Sequence, residues 1–83
     1  MSISHFSKMS LTYRAQFTWS YGQMLSTKSD LSYNYNLYQV KNYFVELVIN
    51  KQNCQVEKAE AFVDTDYLMK YVDFVFLNKL LET

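Results

Sequence analysis

The chain has 83 residues, and its eight basic and eight acidic side chains give a formal net charge of zero. Hydrophobic residues make up 49% and aromatic residues 18%, with no proline and one glycine, which excludes a disordered or low-complexity protein. Nucleic-acid binding is also disfavoured, because phosphate recognition needs clustered lysine and arginine and the charges here are scattered. A single domain covering residues 1–83 is expected at this length.

The cysteine count and the hydropathy pattern indicate a cytoplasmic protein. Cys54 is the only cysteine, so an internal disulfide is impossible and a secreted disulfide scaffold is excluded. The N-terminal residues lack an apolar core long enough for a signal peptide. No segment approaches the roughly 20 apolar residues that span a bilayer. We therefore expect no membrane association.

Residues 1–9 are predicted to be a loose N-terminal arm. They contain His5, the only histidine of the chain. One histidine and one cysteine cannot supply a recognisable zinc-ligand set, so no metal or other cofactor is expected.

Residues 11–21 show the clearest alternation in the chain and predict a long strand. One face of that strand would carry the apolar residues Leu11, Tyr13, Ala15, Phe17, Trp19 and Tyr21. A competing helical interpretation exists, because a set of apolar residues also recurs at three- and four-residue steps: Phe6, Met9, Tyr13, Phe17, Tyr21 and Met24. We rank it second, because it leaves Leu11 and Trp19 unpaired and uses many poor helix formers.

The next segment is predicted to be a connection followed by a second strand. Residues 22–30 are rich in turn formers. Residues 31–40 alternate until Leu37 and Tyr38, two adjacent apolar residues that predict a bulge near Leu37. Residues 41–42 predict a two-residue turn into the following strand.

Residues 43–63 predict a central hairpin with a polar three-residue loop. The preferred register places Glu46 opposite Lys58 and avoids opposing like charges. The core face of this hairpin would combine large residues on one strand with small residues on the other: Tyr43, Val45, Leu47, Ile49, Ala59, Ala61 and Val63.

Residues 64–83 predict a C-terminal helix, because Thr65 or Asp66 can cap it. An apolar stripe at helical spacing follows in Leu68, Tyr71, Val72, Val75 and Phe76. In an alternative, the helix ends near residue 71 or 72 and the chain continues in an extended form. The predicted fold class is thus α+β, an antiparallel meander of about four strands with the C-terminal helix on one face, over Tyr43, Val45, Leu47, Ala59 and Ala61.

The opposite face of the hairpin is too apolar to remain wet, which predicts a homodimer or another protein partner. The predicted partner-binding residues are Phe44, Val48, Val56, Phe62, Phe74 and Leu77. The sequence therefore favours a small non-enzymatic module that self-associates or binds a protein partner.

Two alternative functions stay open. A small ligand could stack on a Tyr- and Trp-rich sheet surface, for which Trp19, Tyr33 and Tyr35 are the candidates, with Tyr13 beside them. An enzyme subunit with a site assembled between chains would instead require His5 or Cys54 beside a carboxylate in a cleft. We find no catalytic motif, and we predict no catalytic residue.

Overall fold

The computed structural model describes residues 1–63. Its two helices are α1, Ile3–Ser7, and α2, Leu11–Tyr21. Four strands follow: β1, Gln23–Ser29; β2, Tyr33–Val40; β3, Tyr43–Asn50; and β4, Val56–Phe62. The α+β class is therefore confirmed, but the described helices precede the sheet, whereas the sequence placed the helix after it. The predicted C-terminal helix falls on residues outside the described part of the chain.

The strand predicted for residues 11–21 is wrong, because these residues form α2. The Ser10 hydroxyl caps the helix by accepting a hydrogen bond from the Tyr13 amide at 3.2 Å. Gly22 ends it, and its amide donates to the Thr18 carbonyl at 2.8 Å. The competing helical interpretation is correct for residues 11–21 but not for Met24, which lies in β1. Its apolar stripe is not the buried face either, because Tyr13 and Tyr21 are exposed while Ala15 and Thr18 are buried.

Residues 1–9, predicted to be a loose arm, contain α1. Ser2 caps this short helix by accepting a hydrogen bond from the His5 amide. Phe6 is fully buried. Its ring lies 6.1 Å from that of Phe17 and 5.9 Å from that of Tyr43, so α1 joins α2 to the sheet.

The sheet is an antiparallel meander in the order β1-β2-β3-β4. β1 lies within the segment that the sequence assigned to a connection. The predicted bulge near Leu37 is in β1 and not in β2, because Met24 pairs with Tyr38 and Ser26 with Leu37. The predicted turn at residues 41–42 is present, and Lys41 takes a φ of 54° there.

The register of the β3–β4 hairpin differs from the prediction. Glu46 lies opposite Glu60, and Lys58 lies opposite Val48. The cause is a connection of five residues, 51–55, in which the Asn50 carbonyl accepts from the Cys54 amide at 2.8 Å. Lys58 instead forms an ion pair with Glu60 on its own strand, at 3.7 Å.

The helices cover one side of the sheet, which we call the first face. Its buried side chains are Tyr38, Val40, Tyr43, Val45, Leu47 and Ala59. Phe6 belongs to the same cluster, and partly buried Leu11 and Phe17 pack against it. The sequence correctly grouped Tyr43, Val45, Leu47, Ala59 and Ala61 on this face, but not Val63, which is exposed. It assigned the cover of this face to the C-terminal helix, which lies outside the described residues, whereas α1 and α2 pack there. Within residues 1–63, no helix has the length and apolar character that crossing a bilayer requires.

Candidate interaction surface

The outer side of α2 exposes several aromatic rings. The helix is anchored by Ala15 and Thr18, which are 3% and 0% exposed. Because a helix turns once every 3.6 residues, the aromatic residues that alternate in the sequence spread around it. Tyr13, Trp19 and Tyr21 are 50%, 52% and 72% exposed. We call these three residues and half-buried Phe17 the α2 aromatic surface.

A groove lies on each flank of this surface. The larger has a volume of about 410 Å³ and runs between α2 and the residues around the start of β4. Its lining residues are Leu11, Thr12, Ala15, Gln16, Trp19, Cys54, Gln55 and Val56. The smaller, of about 170 Å³, lies beside the rings of Phe17 and Tyr21, whose centroids are 4.9 Å apart. Gln16 borders both grooves, so they form one interrupted surface.

Arg14 fixes α2 against the edge of the sheet. Its Nη1 donates to the Ala59 carbonyl of β4 at 3.0 Å, and the Thr18 hydroxyl donates to the Arg14 carbonyl at 2.8 Å. Arg14 is the only charged residue of α2. Since this guanidinium points to the sheet edge, the α2 aromatic surface presents no charged side chain of its own helix.

The two candidate stacking tyrosines of the sheet lie elsewhere. The rings of Tyr33 and Tyr35 are 6.3 Å apart on β2. The Tyr35 hydroxyl donates to Asp30 Oδ2 at 2.8 Å, while Asp30 Oδ1 accepts from the Ser32 and Tyr33 amides. The hydrogen bonds from these amides, that of Ser32 first, lower the pKa of Asp30, and the bond to Asp30 raises the pKa of Tyr35. This tyrosine therefore holds a turn in place.

The predicted stacking residues do not form one pocket. Trp19 is on α2, which packs on the first face, whereas Tyr35 packs against the cluster that contains Leu37 on the opposite face of the sheet. Tyr33 shares a shallow recess with Tyr35 that has a volume of about 370 Å³.

The predicted partner-binding residues are also divided. Phe44, Val48 and Phe62 lie on the opposite side of the sheet from the helices, and the rings of Phe44 and Phe62 stack at 5.7 Å. Val56 packs against the first face, because the register shifts between Val48 and Ile49. The two remaining residues, Phe74 and Leu77, lie outside the described residues.

The candidate enzymatic residues occupy separate elements. His5 is exposed on α1, and Cys54 is exposed in the connection between β3 and β4. Cys54 borders the larger groove, whose described lining contains no histidine, aspartate or glutamate. Across residues 1–63, no three His, Cys, Asp or Glu side chains are grouped as metal ligands would be.

Sequence reasoning missed the α2 aromatic surface, because a strand would have placed its rings in the core. The signal that could have revealed it is local. Ser10 is a cap former directly before Leu11, and Gly22 is a helix terminator directly after Tyr21. Comparison of the chain with family models, curated proteins and solved structures gives no match.

Proposed function

We propose that this protein is a non-enzymatic module that forms a homodimer through the α2 aromatic surface. The observation that carries the proposal is the exposure of Tyr13, Trp19 and Tyr21, each at least half open to solvent on a helix of 11 residues. Tyrosine and tryptophan are enriched at the centres of protein interfaces, where a few large rings supply most of the binding energy. Exposed rings on both flanks of one helix are therefore best explained as contact residues.

A second copy of the chain is the partner that the charges favour. The helix offers no exposed charge that would need an opposite charge on a partner, and the whole chain has a formal net charge of zero. Two copies related by a two-fold axis would bring the same neutral surface together without repulsion. The Tyr21 ring protrudes and the groove beside Trp19 is recessed, so each copy can offer a ring and receive one.

The surface predicted from the sequence offers less free area. Val48 and Phe62 are 8% and 9% exposed, against 52% for Trp19. The proposal therefore keeps the predicted homodimer but moves the contact to α2. A cytoplasmic location is part of the proposal, because exposed Cys54 suits a reducing compartment.

Sedimentation equilibrium over a wide concentration range tests the proposal. We expect a species of twice the 9.9 kDa chain mass. Replacing a central ring, as in Trp19→Gln or Tyr21→Ser, should weaken association by about 30-fold, the usual cost of losing one interface anchor.

The matched control is Leu31→Ser. Leu31 is 99% exposed but lies between β1 and β2, so its loss should leave the dimer unchanged. A chain that stays monomeric at every concentration contradicts the proposal. A dimer that persists equally in both α2 variants contradicts the assigned surface.

A further inference from the structure

The exposed side of α2 is symmetric about its middle residue in the kinds of side chain that it carries. The middle residue of Leu11–Tyr21 is Gln16, and the outward residues lie three and four positions away from it on each side. All five are exposed, and we call them the α2 stripe: Thr12, Tyr13, Gln16, Trp19 and Ser20. Each half of the stripe therefore holds one aromatic ring and one hydroxyl group beside a central amide.

Two antiparallel copies of α2 would match this pattern to itself. A two-fold axis at the level of Gln16 places each residue level with the one equally far from Gln16 on the other copy, so Thr12 and Tyr13 face the partner's Trp19 and the partner's Ser20. Tyrosine and tryptophan can pack a ring and also donate a hydrogen bond to a hydroxyl group. The two central amides would face each other, and each offers both a donor and an acceptor. No charged group is buried in this contact, because the stripe contains none.

The ends of α2 favour the antiparallel over the parallel arrangement. The helix has no acidic residue in its first turn and no basic residue in its last turn. Its own side chains therefore do not offset the partial charges at its two ends. Antiparallel copies bring the positive end of one helix toward the negative end of the other, whereas parallel copies place like ends together.

We propose that two copies of the chain pack α2 against α2 in antiparallel orientation, with Gln16 on the two-fold axis. This inference rests on the proposed homodimer and adds its orientation and the residue that sets its register. The same arrangement places Tyr21 level with the partner's Leu11, which lines the larger groove. The protruding ring and the recessed groove of the proposed homodimer are therefore brought to the same end of the contact.

Opposite charges at position 16 test the central contact in the full chain. Gln16→Glu and Gln16→Lys each place two like charges on the axis, which should raise the dissociation constant of the dimer at least about tenfold. An equimolar mixture of the two variants should recover the affinity of the unmodified chain, because each copy then faces an opposite charge. Sedimentation equilibrium measures all three samples. The matched control is Gln52→Glu with Gln52→Lys, at an exposed glutamine that lines a different recess, where no sample should change.

Cysteine pairs test the orientation. In a Cys54→Ser background, chains carrying Thr12→Cys are mixed with chains carrying Ser20→Cys in a glutathione buffer. Antiparallel helices bring these two positions level, so the mixed disulfide should exceed either symmetric disulfide about tenfold or more, against about twofold for random pairing. A predominance of the symmetric disulfides contradicts the antiparallel orientation.

The outcomes separate a wrong register from a wrong homodimer. If Trp19→Gln weakens the dimer and both Gln16 variants leave it unchanged, α2 is the interface but Gln16 is not on the axis, which overturns this inference alone. A mixture no tighter than either Gln16 variant overturns it as well. An unmodified chain that is monomeric at every concentration contradicts the homodimer and removes the inference with it.

Discussion

The two faces of the sheet are both apolar but are built differently. The first face receives a cover from the N-terminus, in which Phe6 meets Tyr43 and α2 adds Ala15 and Thr18. The second face, which is the side of the sheet away from the helices, carries the buried carboxylate of Glu46 and the stacked pair of Phe44 and Phe62. A four-stranded sheet with two apolar faces needs a cover on each, and α1 and α2 supply the one on the first face. The side of α2 that turns away from the sheet takes no part in that cover and stays exposed.

Removing the Phe6 ring should disrupt the packing on the first face and have the largest effect on stability. Its ring is fully buried between α2 and the sheet. Phe6→Ala should lower the free energy of unfolding by about 4 kcal/mol, a large share of the stability of a small domain. Urea denaturation measures the loss, and His5→Ala, at an exposed neighbour, is the control. A loss no larger than that of the control would show that α1 contributes little to the core.

Truncating one leucine on each face compares the two directly. Leu37 on the second face and Leu47 on the first are both fully buried. Leu37→Ala and Leu47→Ala should each cost about 3 kcal/mol if both faces are covered. The same denaturation experiment sharpens the comparison: a cost below about 1 kcal/mol for Leu37→Ala alone would mean that the second face is open to water.

Adding a methyl group at Gly22 should disturb the close packing between the end of α2 and the first face. A Cβ there would lie 2.6 Å from the Thr18 carbonyl oxygen and 3.2 Å from side-chain atoms of both Tyr38 and Val40. Gly22→Ala should therefore cost about 2 kcal/mol, since a packed region resists added volume. Thermal unfolding compares it with Ser20→Ala, an exposed change on the same helix. Equal melting temperatures would contradict the close approach.

Removing one hydroxyl group from the first face should change the free energy of unfolding least, and should increase it rather than lower it. Among residues 1–63, the buried Tyr43 hydroxyl has no hydrogen-bond partner. Tyr43→Phe should therefore raise the free energy of unfolding by about 1 kcal/mol. Chemical denaturation at neutral pH, against exposed Tyr13→Phe as the control, measures it. A destabilised variant would show that the hydroxyl has a partner.

The same phenol also gives the first face a pH dependence. Burial raises the pKa of Tyr43 above its ordinary value of 10.0. The unfolded chain therefore loses this proton at a lower pH than the folded chain does. The free energy of unfolding therefore keeps its full value below pH 10 and declines as the pH rises through the folded pKa. Tyr43→Phe should thus reduce the alkaline loss of stability, and an unchanged alkaline profile would contradict the assignment.

The sheet was largely predictable, because its signals are local. β3 matches the predicted strand, since Tyr43, Val45 and Leu47 alternate with residues that suit a pleated surface. Leu37 and Tyr38 suggested a bulge in β2, but their adjacency has another cause. The two side chains are buried on opposite sides of the sheet, and the bulge lies in the partner strand.

The helices and the interaction surface were not predictable in the same way. The alternation in α2 is a coincidence of composition, and the helix is held by distant contacts, such as the one between Arg14 and Ala59. β1 was missed because its side chains are mostly polar and its main chain bonds to β2. The hairpin register failed because the path of residues 51–55 depends on backbone hydrogen bonds of Asn50, which no charge-pairing argument reveals.

The packing of α1 and α2 on β4 sets the order in which contacts can form during synthesis. Each strand can pair with the one before it as soon as both have left the ribosome, because every strand neighbour in the sheet is also a sequence neighbour. Arg14, by contrast, must wait for Ala59, 45 residues later, before its hydrogen bond can form. The inner side of α2 therefore stays incompletely covered on the nascent chain until β4 emerges, and exposed apolar surface in that interval favours aggregation.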